Sequence, residues 1–162
     1  MHQVFLGVGG NLGDKRLNFQ KVHSLIEKEL GPIVRKSSIY ESSPWGFRTD
    51  KHFWNEVLLV ETDLLPENLL ERIRQIERSF GRRRKAGQYS SRTMDIDILY
   101  FDDVSMDIPR LTIPHKLIQE RLFVLVPLNE IAPRFRHPLL DRTNRQLLRN
   151  CKDPSTIKKV EG

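Results

Sequence analysis

Cysteine is almost absent: Cys151 is the one thiol in 162 residues, so no intrachain disulfide can form. That suits a reducing, cytoplasmic setting and excludes a small disulfide-stapled secreted scaffold. Long apolar runs are missing as well. Stretches such as Val57-Leu58-Leu59-Val60 are strand-length, far short of the roughly 20 apolar residues of a membrane span. The opening residues Met1-His2-Gln3-Val4-Phe5-Leu6-Gly7 show no charged leader followed by an apolar stretch, so no secretion signal is expected. There is no internal repeat, low-complexity tract or linker. The five histidines have no metal-ligand spacing, and neither a thiol–histidine nor a Ser–His arrangement stands out. Gly7, Gly9, Gly10 and Gly13 spell G-x-G-G-x-x-G, which misses both the dinucleotide fingerprint and the Lys-Ser/Thr of a P-loop. With 38% hydrophobic and 30% charged residues, the chain is polar for its size yet not disordered. The expectation is one domain over residues 1–162, large enough to bury a core of its own.

Charge is distributed unevenly. The net charge of +6 comes from 27 Lys+Arg against 21 Asp+Glu; it fits a phosphate-rich ligand, a nucleic acid, or an ordinary basic surface. Between Arg82 and Thr93, however, stand five cations (Arg82, Arg83, Arg84, Lys85, Arg92) and no acid. In isolation such a segment reads as solvated surface or as a nucleic-acid contact. Gly87, Ser90 and Ser91, with Tyr89 the sole large anchor, also suit a lid that closes over phosphates.

The order of elements follows from periodicity and breakers. His2 to Gly9 reads as a strand ended by Gly9-Gly10, an exit that lets a ligand approach the backbone. From Lys15, Phe19, Val22, Ile26 and Leu30 recur at helical spacing until Gly31-Pro32. Ile33 to Ser43 and Phe53 to Thr62 read as strands. Pro66 suits a first helical position, Leu69, Ile73, Ile76 and Phe80 share a face, and Gly81 stops the helix. Met94 to Phe101 alternates as a strand. This β-α-β-β-α-β order predicts an α+β, ferredoxin-like core. C-terminal additions follow: a short strand within Ile108 to Pro114, a helical stretch near Lys116 to Arg121, an apolar segment from Phe123 to Leu128, a helix over Asn144 to Asn150, and a tail from Cys151 to Gly162.

Asp95 and Asp97 alternate in that last core strand, so both carboxylates project to one side, about 6.5 Å apart. Their repulsion is about 0.6 kcal/mol in water and about 2.5 kcal/mol at an effective dielectric near 20. An arginine partner or a solvated edge strand would relieve it. So would a hard divalent cation, since Mg2+ takes one or two carboxylates and leaves its other positions to water and phosphate. The cations just upstream, with Arg92 three residues before Asp95, favour a phosphate-bearing ligand that spans both halves. Phe53 and Asn55 share a strand face and offer a stacking plane beside an amide, though Phe53 equally suits a core. Trp45, behind Pro44 in a loop, lines or covers a pocket. His115 alone reads as a capping or core residue.

These residues match a known pattern in several places at once. Arg92-Thr93-Met94-Asp95-Ile96-Asp97-Ile98-Leu99 has the R-T-x-D-x-D-I-L form. It is accompanied in order by Gly9-Gly10-Asn11-Leu12-Gly13-Asp14, Ser42-Ser43-Pro44-Trp45-Gly46, Asn55, Glu77, Arg110-Leu111-Thr112-Ile113-Pro114-His115, Arg121-Leu122-Phe123-Val124-Leu125 and Pro127-Leu128-Asn129-Glu130-Ile131-Ala132-Pro133. Over nearly its whole length the chain resembles the 6-hydroxymethyl-7,8-dihydropterin pyrophosphokinases of folate biosynthesis. The resemblance implies transfer of pyrophosphate from ATP to the pterin hydroxymethyl group, release of AMP, and two Mg2+ ions on Asp95 and Asp97. Arg82 and Arg92 would join those aspartates in catalysis. Leu70, Glu77, Arg84, Tyr89, Ile98, Arg110, Thr112, His115 and Arg121 would hold ATP. Gly9, Ser42, Ser43, Pro44, Trp45, Phe53, Asn55 and Phe123 would hold the pterin, the two phenylalanines sandwiching its ring. Tyr89-Ser90-Ser91 replaces the frequent Trp-Gly-Pro, Phe53 replaces a frequent tyrosine, and Lys116 stands where an aromatic is common.

The implied partners are those two small molecules, with no nucleic acid, no membrane and a monomeric chain. The competing reading is a ferredoxin-like RNA-binding module using the basic loop. It lacks the aromatic signature such modules carry on a central strand, and carboxylates on the binding face would repel a phosphate backbone.

Overall fold

A computed structural model describes residues 1–42, 52–81 and 93–161. Strand β1 (His2–Gly10) leads to helix α1 (Lys15–Glu29), followed by β2 (Ile33–Lys36), β3 (Tyr40–Ser42) and β4 (Phe53–Thr62). Helix α2 (Pro66–Ser79) precedes β5 (Asp95–Phe101). The main sheet runs β5-β1-β4-β3, with β2 also on β4, and all its pairings are antiparallel. Each helix thus carries the chain across one intervening strand, which is the ferredoxin-like core expected from the order of elements.

Local chemistry places the boundaries. Asp14 caps α1 by accepting a hydrogen bond from the Leu17 amide at 3.1 Å, as helix N-termini require. Pro66 opens α2, and Gly81, at φ +80°, lets the chain leave it. One side of the sheet meets these two helices: Val4, Leu6, Val8, Leu58, Val60, Ile96 and Ile98 pack on Phe19, Val22 and Ile26 of α1 and Leu69, Ile73 and Ile76 of α2.

The expected strand 33–43 is two strands. Between Lys36, opposite Leu58, and Tyr40, opposite Asn55, the chain has one residue more than β4. Buried Ser37 absorbs the excess: its amide donates to the Val57 carbonyl, and its hydroxyl accepts from the Val57 amide, both at 2.9 Å. A second irregularity lies in β5. Leu6 pairs with Ile98 and Phe5 with Tyr100, so Leu99 is an extra residue. Such a bulge re-aims side chains, and here both Leu99 and Tyr100 pack on the face away from α1 and α2.

The C-terminal additions differ from expectation in four places; those from Ile118 onward cover that second face, while the preceding hairpin packs with the first core. The single strand in 108–114 is a hairpin of β6 (Met106–Ile108) and β7 (Leu111–Ile113). The helical stretch near 116–121 is one turn of 3-10 helix over Ile118–Glu120. The apolar segment from Phe123 is helix α3 (Leu122–Ile131), whose Val124, Leu125 and Leu128 are buried against Val57, Leu59 and Leu99. Helix α4 (Asn144–Asn150) starts at a capping box between Thr143 and Gln146. The tail is not loose: β8 (Ile157–Lys159) adds to β3 as an antiparallel strand. Composition hides this, because a three-residue edge strand with two lysines has no apolar signature. Among the described residues, no helix is long and apolar enough to cross a membrane.

His137, 4% exposed, anchors the turn before α4. Its Nδ1 accepts from the Leu139 and Leu140 amides at 3.2 and 3.1 Å, and burial holds its pKa below the ordinary 6.5. The folded state therefore binds this proton less readily than the unfolded chain. Stability from the neutral ring is present above pH 6.5 and declines as pH falls towards the depressed folded value. Denaturant unfolding across that window should show the decline in the native protein, and a shallower one in His137→Asn.

Candidate active site

The site begins with register. On β5, Asp95 lies opposite Gly9 and Asp97 opposite Gly7; across β1, the same glycines lie opposite Asn55 and Val57 of β4. Two glycines thus separate the acidic strand from the amide-bearing one, and no β1 side chain fills the space between them. The second glycine has a sharper reason to be one. A Cβ on Gly9 would overlap Asn55 Oδ1, so the amide occupies the room a side chain would take.

Above this floor lies a cleft lined by Gly7, Gly9, Phe53, Asn55, Asp95, Asp97, Leu99, Arg121 and Phe123, among others. The last two come from the start of α3, where the Arg121 guanidinium carbon lies 5.4 Å from the centre of the Phe123 ring. A second cleft opens along the outer edge of β5. Leu70 and Arg74 of α2, Asp97 and Ile98 of β5, Arg110 and Thr112 of the hairpin, and His115 and Lys116 line it. Asp97 lines both clefts.

His115 is oriented by its neighbours. Its Nδ1 accepts from the Leu117 amide at 3.1 Å, which leaves the ring proton of the neutral form on Nε2, 3.9 Å from Asp97 Oδ2. Arg110 pairs with Glu67 at 3.1 Å, with side chains 71% and 51% exposed. An ion pair so open to water contributes little, so an anion in the second cleft can compete for the guanidinium. Thr112 donates its hydroxyl hydrogen to Asp107 at 3.1 Å. Glu77 is 2% exposed and accepts from the Ile96 amide at 2.8 Å, binding α2 to the strand that carries the aspartates.

The structure therefore brings together Gly9, Phe53, Asn55, Asp95, Asp97, Arg121 and Phe123 in one cleft and Leu70, Asp97, Ile98, Arg110, Thr112 and His115 in the other. Glu77 lines neither, its carboxylate being bonded to the Ile96 amide. Ser42 is buried opposite Phe53 and lines neither. Ser43, Pro44, Trp45, Arg82, Arg84, Tyr89 and Arg92 lie outside the described residues. Two contributors escaped sequence reasoning, and a third, Lys116, stood out only as a departure from the family pattern. Gly7 is identified only by register with Asp97, while Arg74 is a single cation in a polar stretch with nothing local to distinguish it.

Comparison with known proteins gives the family. The model of the 7,8-dihydro-6-hydroxymethylpterin-pyrophosphokinase (HPPK) family matches residues 5–133. The chain belongs to that family. A 2-amino-4-hydroxy-6-hydroxymethyldihydropteridine pyrophosphokinase of Aquifex aeolicus is 36% identical over 158 residues, covering 98% of this chain and 95% of its own. The folic acid synthesis protein FOL1 of Dictyostelium discoideum is 40% identical over 157 residues, 97% of this chain but only 24% of that protein. Among solved structures, Plasmodium falciparum HPPK-DHPS with pteroate superposes with a TM-score of 0.75 at 18% identity, over 91% of this chain and 44% of that one. The last match speaks for the fold alone. Nothing in these relationships supports the RNA-binding reading.

Gly9 offers a direct test of the floor. Gly9→Ala should push the Asn55 amide aside and weaken binding of a reduced pterin about tenfold or more, a loss of roughly one lost hydrogen bond in a buried site. ATP binding should change little, which calorimetric titration of each ligand would show.

Proposed function

We propose that this HPPK-family chain transfers the pyrophosphoryl group of ATP to the hydroxymethyl group of 6-hydroxymethyl-7,8-dihydropterin and releases AMP. The observation that carries the reading is the position of Asp97, shared by a cleft suited to a flat heterocycle and a cleft suited to a nucleotide. Donor and acceptor bound in the two clefts would meet at its carboxylate.

In the first cleft, Phe53 and Phe123 supply apolar planes for the pterin ring, while Asn55 offers a donor and an acceptor to its edge. In the second, Leu70 and Ile98 give an apolar surface for the adenine, and Arg110, Thr112 and His115 give donors for ribose and phosphate oxygens. Arg121, on the first cleft beside the aspartates, supplies positive charge where the transferred phosphates would lie. The acceptor oxygen attacks the β-phosphorus, the bond from that phosphorus to the α-phosphate oxygen breaks so that AMP leaves with the bridging oxygen, and the hydroxyl proton passes to solvent water. The chain's contribution is positioning and charge, which dominate phosphoryl-type transfer.

The donor set suits magnesium. Two carboxylates on one strand face, in a cleft open to a polyphosphate, match an ion that prefers few protein ligands and shares phosphate oxygens. No group of three or more His, Cys, Asp or Glu with metal-binding geometry occurs among the described residues, so softer, all-protein coordination is not the better fit. Bound at Asp95 and Asp97, Mg2+ would neutralise phosphate charge and hold the reacting groups in line. A cytoplasmic setting suits both ATP and the lone cysteine.

Incubation with Mg-ATP and the reduced hydroxymethylpterin should yield AMP and the pterin diphosphate; ADP as product would overturn the reading. Asp95→Asn and Asp97→Asn should each lower turnover at least about a hundredfold. Both should fold as the native protein does, which thermal unfolding would show. Near-native turnover in either variant would refute the metal role.

A further inference from the structure

The helix bearing one wall of the first cleft is poorly held by its own sequence. Phe123 lies in the first turn of α3, and Arg121, the N-cap residue, makes no side-chain capping bond. That turn has no acidic residue, and a cation at a helix N-terminus opposes the dipole. Pro127 sits inside the helix and has no amide hydrogen to donate to the Phe123 carbonyl one turn back.

What α3 lacks comes from 31 residues further on. Asp153 accepts a hydrogen bond from the Leu122 amide at 3.0 Å. Its carboxylate is itself fixed by the amide and hydroxyl of Ser155 at 2.9 and 2.5 Å. Burial pushes its pKa up, but these hydrogen bonds and the Arg121 charge prevail and hold it below the ordinary 3.8. It is therefore an anion at physiological pH. The segment is tied down beyond it, since Ile157 pairs with Ser42 and Lys159 with Tyr40. Tyr40 in turn donates its hydroxyl hydrogen to Glu130, near the other end of α3, at 2.6 Å. The C-terminal segment thus joins α3 to β3 and, through β3, to the strand of Phe53 and Asn55.

We propose that Asp153 is a positioning residue for the pterin. By capping α3 from outside the cleft, it keeps Phe123 at the distance from Phe53 that a flat ring requires. Asp153 does not line the cleft and touches no substrate. This inference rests on the pterin reading above.

Pterin affinity should be measured by titration in magnesium and an α,β-methylene analogue of ATP, with thermal unfolding alongside. Asp153→Ala should weaken pterin binding about tenfold, the effect of a lost cap passed on to the wall it holds. Asp153→Asn, which keeps an acceptor for the Leu122 amide, should stay within about threefold of the native protein. In a Phe123→Ala background, Asp153→Ala should add almost nothing. Should Asp153→Ala not fold, hydrogen exchange in the native protein gives the same answer by reciprocity: pterin stacked on Phe123 should slow exchange of the Leu122 amide. Native-like affinity in Asp153→Ala overturns the proposal, as does an undiminished loss in the Phe123→Ala background or an unchanged Leu122 amide. If the native protein binds no pterin, the functional reading fails first and this inference with it.

Discussion

Two carboxylates on one face of β5 govern the architecture around them. Side chains at alternate strand positions cannot turn away from each other without breaking the ladder, so Asp95 and Asp97 must project together into a space the fold keeps open. Like charges held this close need high dielectric or positive charge nearby. The structure supplies both. Gly7 and Gly9 put no β1 side chain beside the aspartates, and Arg121 enters the same cleft from α3. The apolar strength of β5 is turned the other way, with Ile96 and Ile98 buried against the helices.

The sheet has one face committed to stability and the other divided. Beneath α1 and α2 it is apolar apart from two buried polar side chains of β4, Glu56, bonded to His23 of α1, and Thr62, whose hydroxyl donates to the Leu30 carbonyl. On the opposite face, Val57, Leu59, Leu99 and Tyr100 pack under α3 and α4, while residues nearer the other end of the same strands (Phe53, Asn55, Asp95 and Asp97) line the cleft. The Leu99 bulge marks this division on β5, because it turns two successive residues into the second core. A rigid apolar half thus holds a polar half in place, which is how a site gains precision without a core of its own.

Connections across the site are made by polar side chains far apart in the chain. Glu130 receives the Tyr40 hydroxyl and both the amide and hydroxyl of Ser38, at 2.6, 3.0 and 2.8 Å. Burial raises the pKa of this carboxyl, but the bonds from Tyr40 and Ser38 and the charge of Lys159 outweigh it and leave the pKa below 4.5. Tyr40 is pushed up to about 12, first by burial and then by the same carboxylate. The pair remains Tyr-OH and carboxylate over the whole physiological range, so this tie between α3 and the sheet does not loosen with pH there.

Local pattern was enough for the core. Helical spacing from Phe19 to Leu30, Pro66 and Gly81 at the ends of α2, and alternation around Asp95 and Asp97 each depend on residues a few positions apart, and periodicity and capping act at that range. The paired acids and the Phe53–Asn55 face were legible for the same reason. Beyond β5 legibility was partial: the helix over Asn144–Asn150 stands with its expected bounds, while α3 and β8 were not foreseen. Lys158 and Lys159 look like a solvated tail, and Asp153 looks like any surface acid, until β3 and the start of α3 come within hydrogen-bonding reach. Sequence by itself determined which side chains share a strand face and where α1, α2 and α4 begin and end. Only the tertiary structure decided that Asp97 borders two clefts, that Gly7 and Gly9 lie between acid and amide, and that Asp153 caps a helix 31 residues away, because strand register and long-range capping are set by packing between segments that no local window contains.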